Sequence, residues 1–232
     1  MNRIGIIGAM DEEVDRLKEN MQVEKIEKKA GMEFFAGVLS GKNVVVVRSG
    51  IGKVNAGICT QILVDDFQVD GVINTGIAGS LKNEINIGDI VLSEDCIQHD
   101  MDATGFGYEP GVIPRMEQSV FKADKTLIDL AQKVNREVNP DISDYVGRVV
   151  SGDQFVSDNE KKKFLVSQFQ GYCTEMEGAA IAQVCYLNEI PFLIIRAISD
   201  KADNSATMDY SEFEAKAIEH TFHLVDGIMK QL

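Results

Sequence analysis

Acidic side chains recur where apolar runs stop. Glu12 and Glu13 follow residues 4–9, Asp153 follows residues 145–150, and Glu175 and Glu177 flank Met176 just before Gly178-Ala179-Ala180. Asp200 closes the run 192–199. In open α/β sheets ligands bind beyond the carboxyl ends of the strands, so this spacing gathers carboxylates around one crevice. With Met10, Ile51, Phe155 and Met176 as apolar walls, such a crevice disfavours a phosphate or carboxylate ligand. It suits cleavage of a glycosidic bond, where positive charge develops on the sugar. One acid, held protonated by burial, donates to the leaving group while a second, ionised, activates water on the opposite face. A third holds sugar hydroxyls. The same positions also have a structural reading: Asp200 caps the next segment, and Glu177 sits at a helix start where the dipole favours it.

The elements that carry these residues follow from periodicity and turn chemistry. Residues 4–9 read as a buried strand, and Met10-Asp11-Glu12-Glu13-Val14 opens a helix with acids in its first turn. Strands at 33–39 and 44–48 are joined by Ser40-Gly41-Lys42-Asn43, and Ser49-Gly50-Ile51-Gly52-Lys53 leads into a helix at 54–67. A strand at 69–75 ends in a glycine turn, Gly76-Ile77-Ala78-Gly79, and a further strand covers 87–93. Residues 98–118 form a long irregular segment, of the kind that is functional or lies in an interface. A helix at 125–138 and a strand at 145–150 follow, then the capping boxes Ser157-x-x-Glu160 and Ser211-x-x-Glu214 open two more helices. Residues 192–198, almost wholly apolar, read as a parallel strand buried on both faces. The alternation predicts an α/β fold with a mostly parallel sheet, made mixed by the early hairpin. No linker or repeat interrupts it, so a single domain over 1–232 is expected.

Composition narrows the partners. A net charge of −14 argues against nucleic acid or an anionic membrane, both of which need basic patches. The four cysteines (Cys59, Cys96, Cys173, Cys185) lie in apolar runs without C-x-x-C spacing, as reduced core residues of a cytoplasmic protein do. No signal peptide and no membrane span are expected. Gly50-Ile51-Gly52-Lys53-Val54 lacks the phosphate-loop frame and Gly5-Ile6-Ile7-Gly8 lacks G-x-G-x-x-G, so the glycines are read as letting backbone approach a ligand closely. His220 with His223, and His99-Asp100-x-Asp102, have metal-ligand spacing but no third ligand nearby, and no metal is expected.

The stretches Gly5-Ile-Ile-Gly-Ala-Met-Asp-Glu-Glu-Val14, Ser49-Gly-Ile-Gly-Lys-Val54, Asn74-Thr-Gly-Ile-Ala-Gly79, Phe106-Gly-Tyr108, Ser151-Gly-Asp-Gln-Phe155, Glu175-Met-Glu177 and Arg196-Ala-Ile-Ser-Asp200 run in order from end to end of the chain. Together they resemble the bacterial 5′-methylthioadenosine/S-adenosylhomocysteine nucleosidases, of nucleoside phosphorylase-like fold. The resemblance implies a three-layer α/β/α architecture around a mixed, partly barrel-like sheet. It implies hydrolysis of both thioether nucleosides, and of 5′-deoxyadenosine, to adenine and the 5′-substituted ribose in methionine salvage, without a cofactor. Glu13 is then the base that activates water and Asp200, oriented by Ser199, the proton donor to adenine N7. Glu177 beside Met176 grips the ribose hydroxyls. Phe155 stacks on the base, the Val156 backbone reads its edge, and Ala78 and Gly79 line the purine site. Met10, Ile51 and Phe213 wrap the sugar and alkylthio group. The family is homodimeric, so Phe106, Tyr108 and Pro114 are expected to cap the partner's site. Ile77 departs from the serine that several relatives carry. The rivals are a phosphorylase using Arg48 or Lys53 for phosphate, and a non-catalytic adenosyl-ligand sensor.

Overall fold

The computed structural model describes the whole chain except the side chains of Met208, Asp209, Ser211 and Glu212. Its strands are β1 (Arg3–Gly8), β2 (Gln22–Lys29), β3 (Met32–Leu39), β4 (Lys42–Arg48), β5 (Gly71–Ser80), β6 (Ile90–Gln98), β7 (Val120–Lys122), β8 (Asp144–Ser151), β9 (Cys173–Glu175) and β10 (Phe192–Asp200). The helices are α1 (Asp11–Asn20), α2 (Lys53–Asp65), α3 (Lys125–Val138), α4 (Asn159–Phe169), α5 (Gly178–Leu187) and α6 (Ala206–Gln231). All ten strands join one sheet in the order β10-β6-β8-β9-β5-β1-β4-β3-β2, with β7 on β6. Because β10 also pairs with β5, the strands β5, β10, β6, β8 and β9 close into a ring, and the remaining strands fan out from it. β1 lies parallel to both β4 and β5, while β2 and β3 are antiparallel additions.

The layers follow from strand alternation. Ile4 and Ile6 of β1, with Leu193 and Ile195 of β10, face Val14, Leu17, Leu127, Val225 and Ile228 of α1, α3 and α6. Ile7 and Ile194 face the opposite side, where Cys59 and Leu63 of α2 meet Ala179, Ile181 and Cys185 of α5. The three-layer α/β/α architecture with a mixed, partly barrel-like sheet is therefore present. All four cysteines are buried and unpaired. Among the described residues no helix is long and apolar enough to cross a membrane.

The structure departs from the sequence reading at element ends. β5 runs through Gly76–Gly79 to Ser80 instead of turning there, because these residues pair with β10 on one side and β9 on the other. α4 is capped by Asp158, whose side chain accepts from the Lys161 amide at 2.8 Å, one residue after the expected Ser157. α6 begins at Ala206, after a turn in which Asp203 accepts from Ser205, so Ser211 lies within the helix and its side chain outside the described residues. β2 escaped the reading because its alternation carries almost no apolar face: it is an exposed, charged edge strand.

One ionic cluster lies inside the ring. Arg196 of β10 is 2% exposed; its guanidinium donates to the Glu175 carboxylate and to the Asn74 side chain, and at 3.0 Å to the Ile195 carbonyl. Removing one partner of such a pair strands the other charge in a medium that solvates it poorly. Glu175→Ala is expected to lower stability by about 3–5 kcal/mol, read from urea unfolding; a loss well under 1 kcal/mol would mean the pair behaves as a surface contact.

Candidate active site

A cavity of about 330 Å³ opens at the carboxyl ends of β1, β5, β9 and β10, where the α1 and α5 N-termini and the 152–156 loop also converge. Its wall contains Glu13, Glu175, Glu177 and Asp200, and no lysine, arginine or histidine among the described residues. Ten of the expected site residues line it: Glu13, Asp200, Glu177, Met176, Gly79, Ala78, Val156, Phe155, Ser199 and Met10, together with Ile51 as the eleventh.

Glu13 sits in the first turn of α1 and folds back over the helix start. Its Oε2 accepts from the amides of Ala9 (2.6 Å) and Met10 (3.1 Å), and its Oε1 from the Ile77 amide (3.2 Å). The residue therefore caps the helix and faces the cavity as well. Burial pushes its pKa above the ordinary carboxylate value; the Arg196 charge and the three amides oppose the rise without cancelling it. Space for the carboxylate comes from Gly76, where an added Cβ would stand 2.5 Å from Glu13 Oε1. Gly76 of β5 thus admits a carboxylate against bare backbone.

Asp200 reaches the cavity through a bulge. β10 pairs Ile198 with Ala78 and Asp200 with Gly79, leaving Ser199 as the extra residue that re-aims the aspartate. The Ser199 hydroxyl lies 2.9 Å from Asp200 Oδ2, and the Ala202 amide donates to Oδ1 at 2.7 Å. A Cβ at Gly79 would come within 2.7 Å of Asp200 Oδ1.

Glu177 is the residue preceding α5, and its Oε1 accepts from the Gly52 amide at 2.8 Å. Burial, then the neighbouring Glu175 charge, raise its pKa to about 8; Arg196 and the Gly52 amide pull the other way. Glu175 itself is committed to structure, accepting from the Gly178 amide (2.7 Å), the Ser151 hydroxyl and Arg196.

Other expectations land elsewhere. Phe213 is half-buried and outside the cavity wall; because α6 starts early, Tyr210 lines the wall instead, with its ring edge-on to Phe155 at 6.0 Å. Phe106 is 87% exposed, and neither it, Tyr108 nor Pro114 lines this cavity. His220 rests against the Gly88 carbonyl and His223 beside Glu219, while Asp102 bonds Thr104, so these groups do not converge. Among the described residues no cluster is placed to hold a metal. Thr174, Gln154 and Tyr210 line the cavity without having been expected. Thr174 was legible as the residue beside the Glu-Met-Glu motif; Tyr210 was hidden by the misplaced helix start.

A mixed sheet closing partly into a barrel thus carries an acid-lined cavity at its strand ends. The chain belongs to the phosphorylase superfamily, whose family model matches residues 3–230, and within it to the 5′-methylthioadenosine/S-adenosylhomocysteine nucleosidases. It is 42% identical over 231 residues to that nucleosidase from Shewanella sediminis, covering 99% of this chain and 100% of the relative. The Neisseria meningitidis nucleosidase, solved in complex with methylthio-immucillin-A, is similar with a TM-score of 0.96 at 38% identity, over 100% of both chains. A futalosine hydrolase of Helicobacter pylori is similar with a TM-score of 0.94 at 34% identity, over 100% of this chain and 98% of that one.

The raised carboxylates make a pH prediction. A group whose pKa is higher in the folded state contributes stability at low pH and loses it as pH rises through the folded value. For Glu177 that window runs from about 4.5 to about 8. The ligand-free protein is expected to lose melting temperature across this window, and Glu177→Gln to flatten the slope. An equally steep slope in the variant would exclude Glu177 as its source.

Proposed function

We infer that this chain is an N-glycosyl hydrolase that cleaves 5′-methylthioadenosine and S-adenosylhomocysteine to adenine and the 5′-substituted ribose. The observation that carries this reading is the convergence of Glu13, Glu177 and Asp200 on one cavity whose described wall holds no cation. Glu13, more basic than an ordinary carboxylate because it is buried, takes a proton from the attacking water. Asp200 gives a proton to adenine N7, so the base departs neutral. Glu177, anchored by the Gly52 amide, holds the ribose hydroxyls beside Met176. Positive charge developing on the sugar is stabilised by the same acids. Phe155 stacks on the purine, the Val156 backbone with Ala78 and Gly79 bounds its edge, and Met10 and Ile51 wrap the 5′ side.

Phosphorolysis is disfavoured by where the cations are. Arg48 pairs with Asp11 at 3.2 Å, largely in solvent, and the Lys53 ammonium is held by Asp100 at 2.5 Å and Gln98 at 2.9 Å. Neither reaches the cavity wall, so an incoming phosphate would meet Glu13 instead of a donor. A second reading concerns the 5′ group only: the likeness to futalosine hydrolase supports futalosine-type nucleosides as further substrates. The apolar wall of Met10 and Ile51 also suits 5′-deoxyadenosine.

We also propose a homodimer. Val54 and Ile58 stand exposed on α2, Leu187 at the end of the neighbouring α5, and Phe106 on the 98–118 segment. A second copy covering them would let Phe106, Tyr108 and Pro114 cap the partner's cavity, where Ile51 and Phe155 are half in solvent. The buried thiols fit the reducing cytoplasm.

Adenine release from 5′-methylthioadenosine is expected in phosphate-free buffer, yielding free methylthioribose; a strict phosphate requirement would mean a phosphorylase. Asp200→Asn is expected to lower kcat by at least ~10²-fold with binding retained, and unchanged turnover would remove Asp200 from its role. Val54→Glu is expected to shift the mass in solution toward the monomer, with activity falling alongside; a variant that keeps the wild-type mass would place the dimer contact elsewhere.

A further inference from the structure

Two successive backbone amides at the start of α2 are bonded to carboxylates from two different loops. The Gly52 amide donates to Glu177 Oε1 at 2.8 Å, and the Lys53 amide donates to Asp153 Oδ1 at 2.8 Å. Gly52 adopts φ +97°, a conformation L side chains rarely take, and a Cβ there would lie 3.1 Å from Asp153 Oδ1. Asp153 is held in turn: its own amide donates to Asp100 Oδ2 at 3.0 Å. Asp100 Oδ1 accepts from the Lys53 ammonium at 2.5 Å, and that ammonium also donates to Gln98 Oε1. The circuit therefore closes on itself, from the Lys53 amide through Asp153 and Asp100 back to the Lys53 side chain. The Lys53 and Asp100 side chains are only 18% and 16% exposed, so solvent screens their pairing little. Neither residue, nor Asp153, lines the cavity.

We propose that Asp153, Asp100 and Lys53 form a clasp that positions the Gly52 amide on Glu177 and locks the sugar side of the site to the loop carrying Phe155 and Val156. These three are positioning residues: they act on substrate through Glu177 and through the purine loop. The inference rests on the reading of Glu177 as the ribose-binding acid. As the anion, Glu177 presents both oxygens as acceptors to two ribose hydroxyls, but burial beside Glu175 across the β9–α5 turn and Glu13 from α1, with Arg196 of β10 as countercharge, disfavours that anion. Among the described residues the Gly52 amide is the one hydrogen-bond donor to its carboxylate. Losing the Asp153 acceptor loosens that amide, which removes a stabiliser of the anion, and frees the loop at Phe155, two residues on from Asp153.

The test compares Asp153→Ala with Asp153→Asn, which keeps an oxygen to accept from the Lys53 amide. Misplacement of positioned groups by about 1 Å costs up to ~10²-fold. Asp153→Ala is accordingly expected to lose about tenfold or more in kcat/KM for 5′-methylthioadenosine, mostly through KM, with the acid limb of its pH profile moved upward. Asp153→Asn is expected to restore most of both. Hydrogen exchange of residues 50–53, which needs no substrate, is expected to accelerate in the alanine variant alone. An inert Asp153→Ala, an equal loss in both variants, or a loss without change in pH profile or exchange would overturn the clasp. If Asp153→Ala does not fold, Lys53→Met decides on the same readouts, with faster exchange at 50–53 expected and unchanged exchange overturning it. A wild-type protein that releases no adenine would instead overturn the assigned function, leaving the exchange result to judge the clasp.

Discussion

The structure depends on one buried cation. The Arg196 guanidinium sits inside the strand ring with three acids around it, Glu175 in direct contact and Glu13 and Glu177 within electrostatic reach. An uncompensated guanidinium there would be prohibitive, and so would three ionised carboxylates without it. Glu175 satisfies the charge and is thereby taken out of chemistry. The other two are left in low dielectric with too little positive charge to hold them at ordinary carboxylate values. The ion pair thus braces the ring, while burial, which the Arg196 charge only partly opposes, sets the two remaining acids above their usual basicity.

The backbone around that cation supplies the geometry. A strict strand alternation would place Asp200 on the same face as Ile198, in the apolar layer against α2 and α5; the bulge at Ser199 turns it into the cavity. Opposite it, β5 has glycine at the two positions where Glu13 and Asp200 lie closest, so the carboxylates pack against bare backbone. β5 can afford such weakness only because it is paired on both edges, by β1, β10 and β9 together.

What was legible in the sequence follows the same division. Buried strands announce themselves by continuous apolar runs, so β1, β4 and β10 were read with small errors, as was α3, whose apolar stripe repeats at helical spacing, while β5 was found but stopped at its first internal glycine. The acids of the site were legible because they interrupt those runs. What was hidden lacked local signal. β2 has no apolar face, and the start of α6 competes with a nearby capping pattern. The ring closure between β5, β9 and β10 joins residues about a hundred positions apart. Glu175 and Glu177, two residues apart and alike in sequence, are separated only by which one Arg196 reaches.

The same logic bears on Ile77, which stands where the resemblance leads one to expect serine. Its contribution to Glu13 is made by the backbone amide, 3.2 Å from Oε1, and any residue except proline supplies that donor. Exchanging a hydroxyl for an alkyl group at this position therefore leaves the base's hydrogen bonds in place and alters the wall of the cavity instead. Variation at this position therefore reshapes the cavity wall and leaves the arrangement of Glu13, Glu177 and Asp200 in place.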